Sequence, residues 1–351
     1  MNWMIYGANG YTGKLIAHEA KRHGLTPILA GRNAAALEAL AKETGFEHRV
    51  FGLEPGELRR GLDGIDLVLH CAGPFSATCA PMLEACLAQR THYLDITGEI
   101  DVFAHCHAQH ARAQAAGIVV LPGAGFDVVP TDCTAAQLAR ELPGATHLVL
   151  AFDAGGGLSP GTAKTSVEGL GKGGRIRVDG VLTRVPLGWK SRSFERPATA
   201  VAPAAQRTAV TIPWGDVYTS CVSTGIPNVE VYTMVPPSTV TRLRRLRVLG
   251  PLLRLGPVQN FLKRRVERSV AGPSESRRAG SESIIWGEVR DAHGNERALR
   301  LRVPNGYDLT VTASLGIVER LLRQVPAGGY YTPSQLMGAD YVLSLPGVSK
   351  V

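Results

Sequence analysis

The tightest constraint on the fold lies in the first thirteen residues. Asn2–Tyr6 is an apolar run that ends in Gly7-Ala8-Asn9-Gly10-Tyr11-Thr12-Gly13, and Tyr11–His23 then carries apolar residues at helical spacing and stops at Gly24. A strand that turns through closely spaced glycines into a helix offers an anion unpaired N–H groups and the positive end of a helix dipole. Glycines there let the backbone approach a pyrophosphate and let the helix pack against the strand. The spacing G-x-x-G-x-x-G says little alone. Between a strand and a helix it points to a dinucleotide site at Gly7, Asn9, Gly10, Tyr11, Thr12 and Gly13.

The alternation continues. Strand patterns recur at Thr26–Ala30, His48–Leu53, Asp66–Cys71, His92–Ile96 and Ile118–Leu121, with helical patterns at Ala34–Thr44, Pro81–Ala88 and Ile100–Ala116. Such a run implies βαβ units, a parallel sheet and right-handed crossovers. Beyond Leu121 the pattern changes. Thr131–Glu141 reads as a helix, and Thr208–Ile212, Val229–Val235, Ser283–Asp291 and Arg297–Val303 read as antiparallel strands, the last two joined by a turn at Ala292-His293-Gly294-Asn295. Gly306–Arg323 is expected to be a strand leading into a helix, Tyr331–Leu345 a closing helix, and 269–282 a loop. The expected fold is α/β: a Rossmann-type doubly wound parallel sheet over 1–125, and a second α+β domain with a mixed or antiparallel sheet over 126–325. A C-terminal segment, 326–351, is expected to return toward the first domain.

The second strand ends at Ala30-Gly31-Arg32-Asn33. An acid at this point would hold a ribose 2′-hydroxyl; here an arginine stands in its place, and a guanidinium pairs well with a 2′-phosphate. Arg32 and Asn33 therefore point to NADP(H) rather than NAD(H).

Composition sets the context. In 351 residues, 44% of them hydrophobic, no apolar run is long enough to span a bilayer. The N-terminus reads as a strand rather than a secretory signal. Six cysteines without a C-x-x-C pair suggest a reduced, cytoplasmic setting. The net charge of +8 is concentrated in 240–268, where nine basic side chains (Arg242, Arg244, Arg245, Arg247, Arg254, Lys263, Arg264, Arg265 and Arg268) face one acid, Glu267. The rest of the chain is neutral, which argues against a diffuse nucleic-acid surface. The leucines of this arm interleave with its arginines, a pattern that suits an anionic membrane surface with peripheral contact, an acidic acyl-carrier partner, or a flap whose leucines join the core.

Taken together, GANGYTG, LAGRN, HCAGPF, THYLDITGE and LPGAGFDVVPTD make the chain resemble the saccharopine dehydrogenase-like oxidoreductases, most of all the branch with the trans-acting enoyl reductases. The resemblance is dense over 1–135 and thins through SPGTAKTS, GPSESRR and YTPSQLMGADYVL. It implies NADP(H)-linked chemistry without fixing the substrate, and it places Cys71, Ala72, Gly73, Pro74 and Phe75 at the nicotinamide-ribose side. The loops at 97–99 and 123–127 follow strands whose carboxyl ends should face the same crevice. Tyr93, Asp95, Glu99 and Asp127 are the candidate proton donors, with Tyr93, Asp127 and Glu99 taken as catalytic. Thr97 and Phe126 are expected to touch substrate, as are Thr162 and Lys164 in the helix that follows a glycine-rich stretch at 155–157.

No Tyr-x-x-x-Lys pair is present, which argues against ketone–alcohol chemistry of the short-chain dehydrogenase kind. His105, Cys106, His107 and His110 lack the partners of a metal site, and no metal is expected. The expected function is NADP(H)-dependent reduction of a C=C (enoyl) or C=N bond in a lipid-like or carrier-bound substrate, with a homodimer as the assembly considered. The alternatives are a saccharopine- or opine-type amino-acid reductase and a non-catalytic NADP-binding adaptor or redox sensor at a membrane surface.

Overall fold

In a computed structural model, residues 1–153, 160–198, 203–253, 255–269 and 272–351 are described. They form two compact units, Met1–Val129 with Leu309–Met337, and Pro130–Asp308 with Gly338–Val351.

The first unit is built from β1 (Trp3–Tyr6), α1 (Tyr11–Arg22), β2 (Ile28–Gly31), α2 (Ala34–Thr44), β3 (His48–Val50), α3 (Pro55–Gly61), β4 (Leu67–His70), α4 (Phe75–Gln89), β5 (His92–Asp95), α5 (Ile100–Ala108), α6 (His110–Ala116) and β6 (Val119–Leu121). Its seven-stranded sheet, completed by a late strand at Gly329–Tyr330, runs in the order Gly329–Tyr330, β6, β5, β4, β1, β2, β3. Every pairing in it is parallel. All residues of β1, β4, β5 and β6 are buried, as helix-covered parallel strands must be. Chain order reverses between β1 and β4, and at such a switch point the carboxyl ends of the strands open a crevice.

The second unit contains α7 (Val129–Glu141), β7 (His147–Asp153), α8 (Pro160–Lys172), β8 (Gly174–Val178), β9 (Val181–Val185), β10 (Ser191–Arg196), β11 (Ala205–Thr211), α9 (Asp216–Thr224) and β12 (Asn228–Met234). It continues with α10 (Pro237–Leu246), α11 (Gly250–Leu253), α12 (Gly256–Ser269), α13 (Glu275–Ala279), β13 (Glu282–Arg290) and β14 (Glu296–Pro304). The chain then runs through α14 (Gly306–Arg323), β15 (Gly329–Tyr330), α15 (Pro333–Met337) and β16 (Ser349–Lys350). The second sheet is mixed: β7 and β12 pair in parallel, and β13 and β14 run antiparallel in full register from Glu282 opposite Pro304 to Arg290 opposite Glu296. One face carries Phe194, with its ring centroid 5.8 Å from Tyr232 and 6.0 Å from Trp286. Among the described residues no helix is long and apolar enough to cross a membrane.

Several expected elements differ. The helix expected over Ile100–Ala116 breaks at Gln109 into α5 and α6. Gly306–Arg323 is helical throughout, with no leading strand, because Asn305 Oδ1 accepts the N–H groups of Tyr307 and Asp308 and starts the helix at once. The tail is not one helix: Gly338, at φ +89°, stops α15. The unit boundary also departs from 125/325. From Leu309 onward α14 buries its apolar side in the first unit, whereas Gly338–Val351 belongs to the second, where Arg140 grips Asp340 and β16 pairs with β14. The loop expected over 269–282 contains α13.

In the second unit α7 lies on β13 at Gly287. A Cβ there would stand 2.5 Å from Thr134 Cγ2 and 2.6 Å from Leu138 Cδ1. Gly287→Ala should therefore lower stability by about 1–3 kcal/mol through overpacking, read as a lower denaturation midpoint at unchanged slope.

Candidate functional site

The phosphate loop is shaped by its packing. Gly7, at φ +83°, and Ala8 both donate to Ala30 O, at 2.7 and 3.1 Å, and this ties the loop to β2. A Cβ on Gly7 would meet Ala72 Cβ at 2.8 Å, and one on Gly13 would meet Gly7 O at 2.4 Å. These two glycines let β1, the β4 loop and α1 converge. No side chain caps α1 at Gly10, and its first turn, beginning Tyr11-Thr12-Gly13, carries no acid. That is the donor set a pyrophosphate requires. Asn9 lies over Gly31, where a Cβ would touch its Oδ1 at 2.8 Å.

At the end of β2, Arg32 is exposed and lines a cavity of about 800 Å³ with Arg49, Phe51, Glu54, Glu57 and Arg60. Arg49 is engaged by Gly61 O and Asp63 O, and Glu57 by Gly52 N. No ion pair to Arg32 is formed among the described residues, and its guanidinium suits a 2′-phosphate. Asn33 turns its Oδ1 to Ala36 N as the cap of α2, so part of its expected cofactor role is taken by a local one.

Contacts between neighbouring loops run along the other strand ends. Cys71 N donates to Tyr6 O at 2.7 Å. Ala72 carries the contact with Gly7 noted above, and Gly73 and Pro74 lead into α4. The N–H groups of Phe75 and Ser76 donate to Glu99 Oε1 and Oε2 at 2.9 and 2.8 Å. Gly98 in turn lies against Asp127, where a Cβ would stand 2.9 Å from Asp127 Oδ2. Phe126 N donates to Thr310 Oγ1 at 3.0 Å, so α14 closes the row.

Beneath this row Asp95 is fully buried. Its Oδ1 accepts Thr97 N at 2.9 Å and Gly123 N at 3.0 Å, its Oδ2 accepts the Tyr93 hydroxyl at 2.7 Å, and its carbonyl accepts Ala124 N at 2.7 Å. Burial pushes its carboxyl up to about 6 against the pull of these donors. Beside it, Cys79 Sγ and Cys106 Sγ lie 3.5 Å apart, buried thiols that burial holds protonated in the case of Cys106. The two sulfurs and a carboxylate oxygen of Asp95 lie within 4.8 Å of one another, a grouping the sequence spacing does not reveal.

The expected site residues therefore divide. Tyr93 is corrected: its ring is fully buried, its hydroxyl is spent on Asp95, and burial raises its pKa well above the ordinary value, so it positions the β5 loop and is not exposed to donate a proton. Thr97 and Phe126 are also buried, Thr97 accepting Glu99 N on its hydroxyl at 3.0 Å, and both support the loops from behind. Asp127 remains at the loop surface, half-buried, with its carboxyl pushed up to about 7 by burial and then by the Glu99 charge. The side chains of Thr162 and Lys164, and the glycine stretch before them, lie outside the described residues. Sequence reasoning also passed over His70, buried at the end of β4 with its Nε2 3.0 Å from Thr78 Oγ1 and its pKa lowered to about 3 by burial. A histidine closing an otherwise apolar strand was the available signal.

Comparison with known proteins agrees with this geometry. Residues 3–121 match the family described as the saccharopine dehydrogenase NADP binding domain. A saccharopine dehydrogenase-like oxidoreductase of Mus musculus is 24% identical over 201 residues, 50% of this chain and 47% of that protein. The trans-acting enoyl reductase of Mycobacterium leprae is 31% identical over 148 residues, 40% of this chain and 35% of that protein. The matches thus span less than half the length of these relatives. The apo saccharopine dehydrogenase (L-Glu forming) of Saccharomyces cerevisiae shares the fold over 100% of this chain and 99% of its own, at a TM-score of 0.63 and 10% identity. Residues 3–121, within the first unit, are thus similar to the saccharopine dehydrogenase NADP binding domain.

Arg32→Ala should weaken NADPH binding about 10- to 100-fold, the worth of a hydrogen-bonded charge pair, and leave NADH binding nearly unchanged. Fluorescence titration of both cofactors checks this, and equal losses would remove Arg32 from the 2′-phosphate site.

Proposed function

We propose that the protein is an NADP(H)-dependent oxidoreductase that reduces the carbon–carbon double bond of an enoyl substrate, lipid-like or carrier-bound. The observation that carries this reading is Asp127, a carboxyl on a strand-end loop of the cofactor crevice with its pKa raised to about 7. An iminium accepts hydride with little help from an acid. An α,β-unsaturated carbonyl needs a proton at the α-carbon as hydride reaches the β-carbon, and a donor matched to neutral pH supplies it best. The name of the mycobacterial relative points the same way.

NADPH, when bound, supplies the hydride; the open N-terminus of α1 and Arg32 would hold its phosphates, and the 71–75 loop would border its nicotinamide-ribose end. The chain's own contribution is the proton. Burial and Glu99 keep it on Asp127 Oδ near neutrality, and transfer to carbon leaves the aspartate to be reprotonated from solvent. Glu99 accepts from Phe75 N and Ser76 N and so fixes the 71–75 and 97–99 loops to each other. The buried Asp95–Tyr93 pair holds the 97–99 and 123–127 loops from below.

NADPH oxidation measured with a panel of enoyl thioesters, free and on an acyl-carrier protein, tests the reading. Turnover of amino acid plus keto acid instead would identify an amino-acid reductase, and no turnover of any substrate would identify a binding protein. With the turned-over substrate, only protonated Asp127 donates, so the rate should fall as pH rises through about 7. Asp127→Asn should cost about 10²–10⁴ in kcat, abolish that fall, and leave cofactor affinity within about twofold. Glu99→Gln removes a neighbouring charge and should move the same fall to lower pH. An Asp127→Asn enzyme with full rate would end its role as the donor.

A further inference from the structure

The nine basic residues of 240–268 do not all do the same work. Arg247 donates from Nε to Leu187 O at 2.7 Å and from an Nη to Gly188 O at 2.8 Å, and Arg244 reaches Ser191 Oγ at 3.1 Å. These two clamp the arm to the loop before β10 and to the first residue of that strand. Gln259 Nε2 bonds Val167 O and Leu253 O, and this seats α12 on α8. Val240 and Leu253 are buried. The arm is thus held to its unit along its inner side.

Its outer side exposes apolar side chains. Val248 is 83% exposed, Phe261 64%, and Leu249, Leu252 and Leu255 about half. Five of the twelve large hydrophobic side chains exposed among the described residues fall within these fourteen positions. A sixth, Trp189, is 42% exposed and follows directly on the Leu187-Gly188 segment that Arg247 holds. Arg242, Arg245, Arg264 and Arg265 are exposed on α10 and α12, and no acid occurs from Pro237 to Val266.

We propose that this face docks on an anionic lipid bilayer, with Trp189, Val248, Leu249, Leu252, Leu255 and Phe261 entering the headgroup–acyl boundary and the four arginines facing lipid phosphates. Charge alone would suit an acidic protein partner equally. The apolar cluster decides for lipid. Six large side chains in water need an apolar sink, whereas a surface of acidic carboxylates leaves them exposed. Exposed tryptophan and aliphatic side chains interspersed with arginines are the composition that settles at a membrane interface. The proposal stands apart from the chemistry assigned to the cofactor domain.

The full chain is sedimented with vesicles of phosphatidylcholine alone and of phosphatidylcholine with phosphatidylserine, across a salt series. Binding should be confined to the anionic vesicles and weaken with salt. Replacing Arg242, Arg245, Arg264 and Arg265 with Gln should lower partitioning by about two to three orders of magnitude, at about fivefold per charge. Val248→Ser with Leu252→Ser and Phe261→Ser should lower it at least tenfold at unchanged charge. Tryptophan emission should shift to the blue on binding, and Trp189→Phe should abolish the shift. Circular dichroism and the denaturation midpoint of each variant, read in vesicle-free solution, show that it is folded. Equal binding to neutral vesicles, no binding to anionic vesicles at low salt, or capture of an acidic acyl-carrier protein by a face that ignores vesicles would each overturn the proposal. The wild-type salt series and emission shift decide even if a variant fails to fold.

Discussion

One buried carboxylate organises the floor of the candidate site. Asp95 sits where β5 ends and gathers donors from three directions: Thr97 N from its own loop, Gly123 N from the β6 loop, and the hydroxyl of Tyr93 from within the core. A buried carboxylate without partners is costly, and its cost falls with each well-placed donor, so the loops are held by the need to satisfy it. Thr97 passes the constraint to Glu99 through its hydroxyl, and Glu99 passes it to the start of α4. Removing the Asp95 carboxylate would leave two buried backbone N–H groups without their acceptor. The loops at 97–99 and 123–127 therefore share one anchor.

The phosphate loop depends on a different constraint, the absence of side-chain volume. Gly7 and Gly13 are fixed by backbone and Cβ atoms closer than any real Cβ would tolerate. Gly10 is less crowded, its nearest neighbour being Gly7 O at 3.1 Å, and its contribution is the uncapped helix end it begins. The three glycines of one motif thus serve three purposes, and two of them concern how the protein packs on itself.

This division explains what could be read from the sequence. The glycine loop, the alternating elements of the first unit and Arg32 after β2 are local signals, each carried by a few adjacent residues. The proton donors were harder to sort. All four residues of β5 are buried, so the usual alternation cannot tell Tyr93 from Asp95 or say which meets solvent. Glu99 caps a helix that begins 24 positions earlier, a contact no spacing rule contains. The break at Gln109 carries no proline or glycine, and the continuous helix at 306–323 hides its start in the Asn305 side chain. In the second unit, β7 lies at the centre of the sheet between β12 and β13, and its mixed pairing is set by partners about 80 and 140 residues away.

Two carboxyl groups, Glu99 and Asp127, lie on adjacent loops, and their different surroundings assign them different tasks. Glu99 receives two N–H donors from the first residues of α4, where the helix dipole also favours negative charge. The same end of α4 has no side-chain cap of its own, so the glutamate serves as one. At Asp127 burial, and after it the negative charge of Glu99, favour the protonated form. Neighbouring carboxyls whose environments push them apart in this way separate into an anion and an acid. The capping task of Glu99 at the start of α4 thereby adds its charge to the burial that already favours the proton on Asp127.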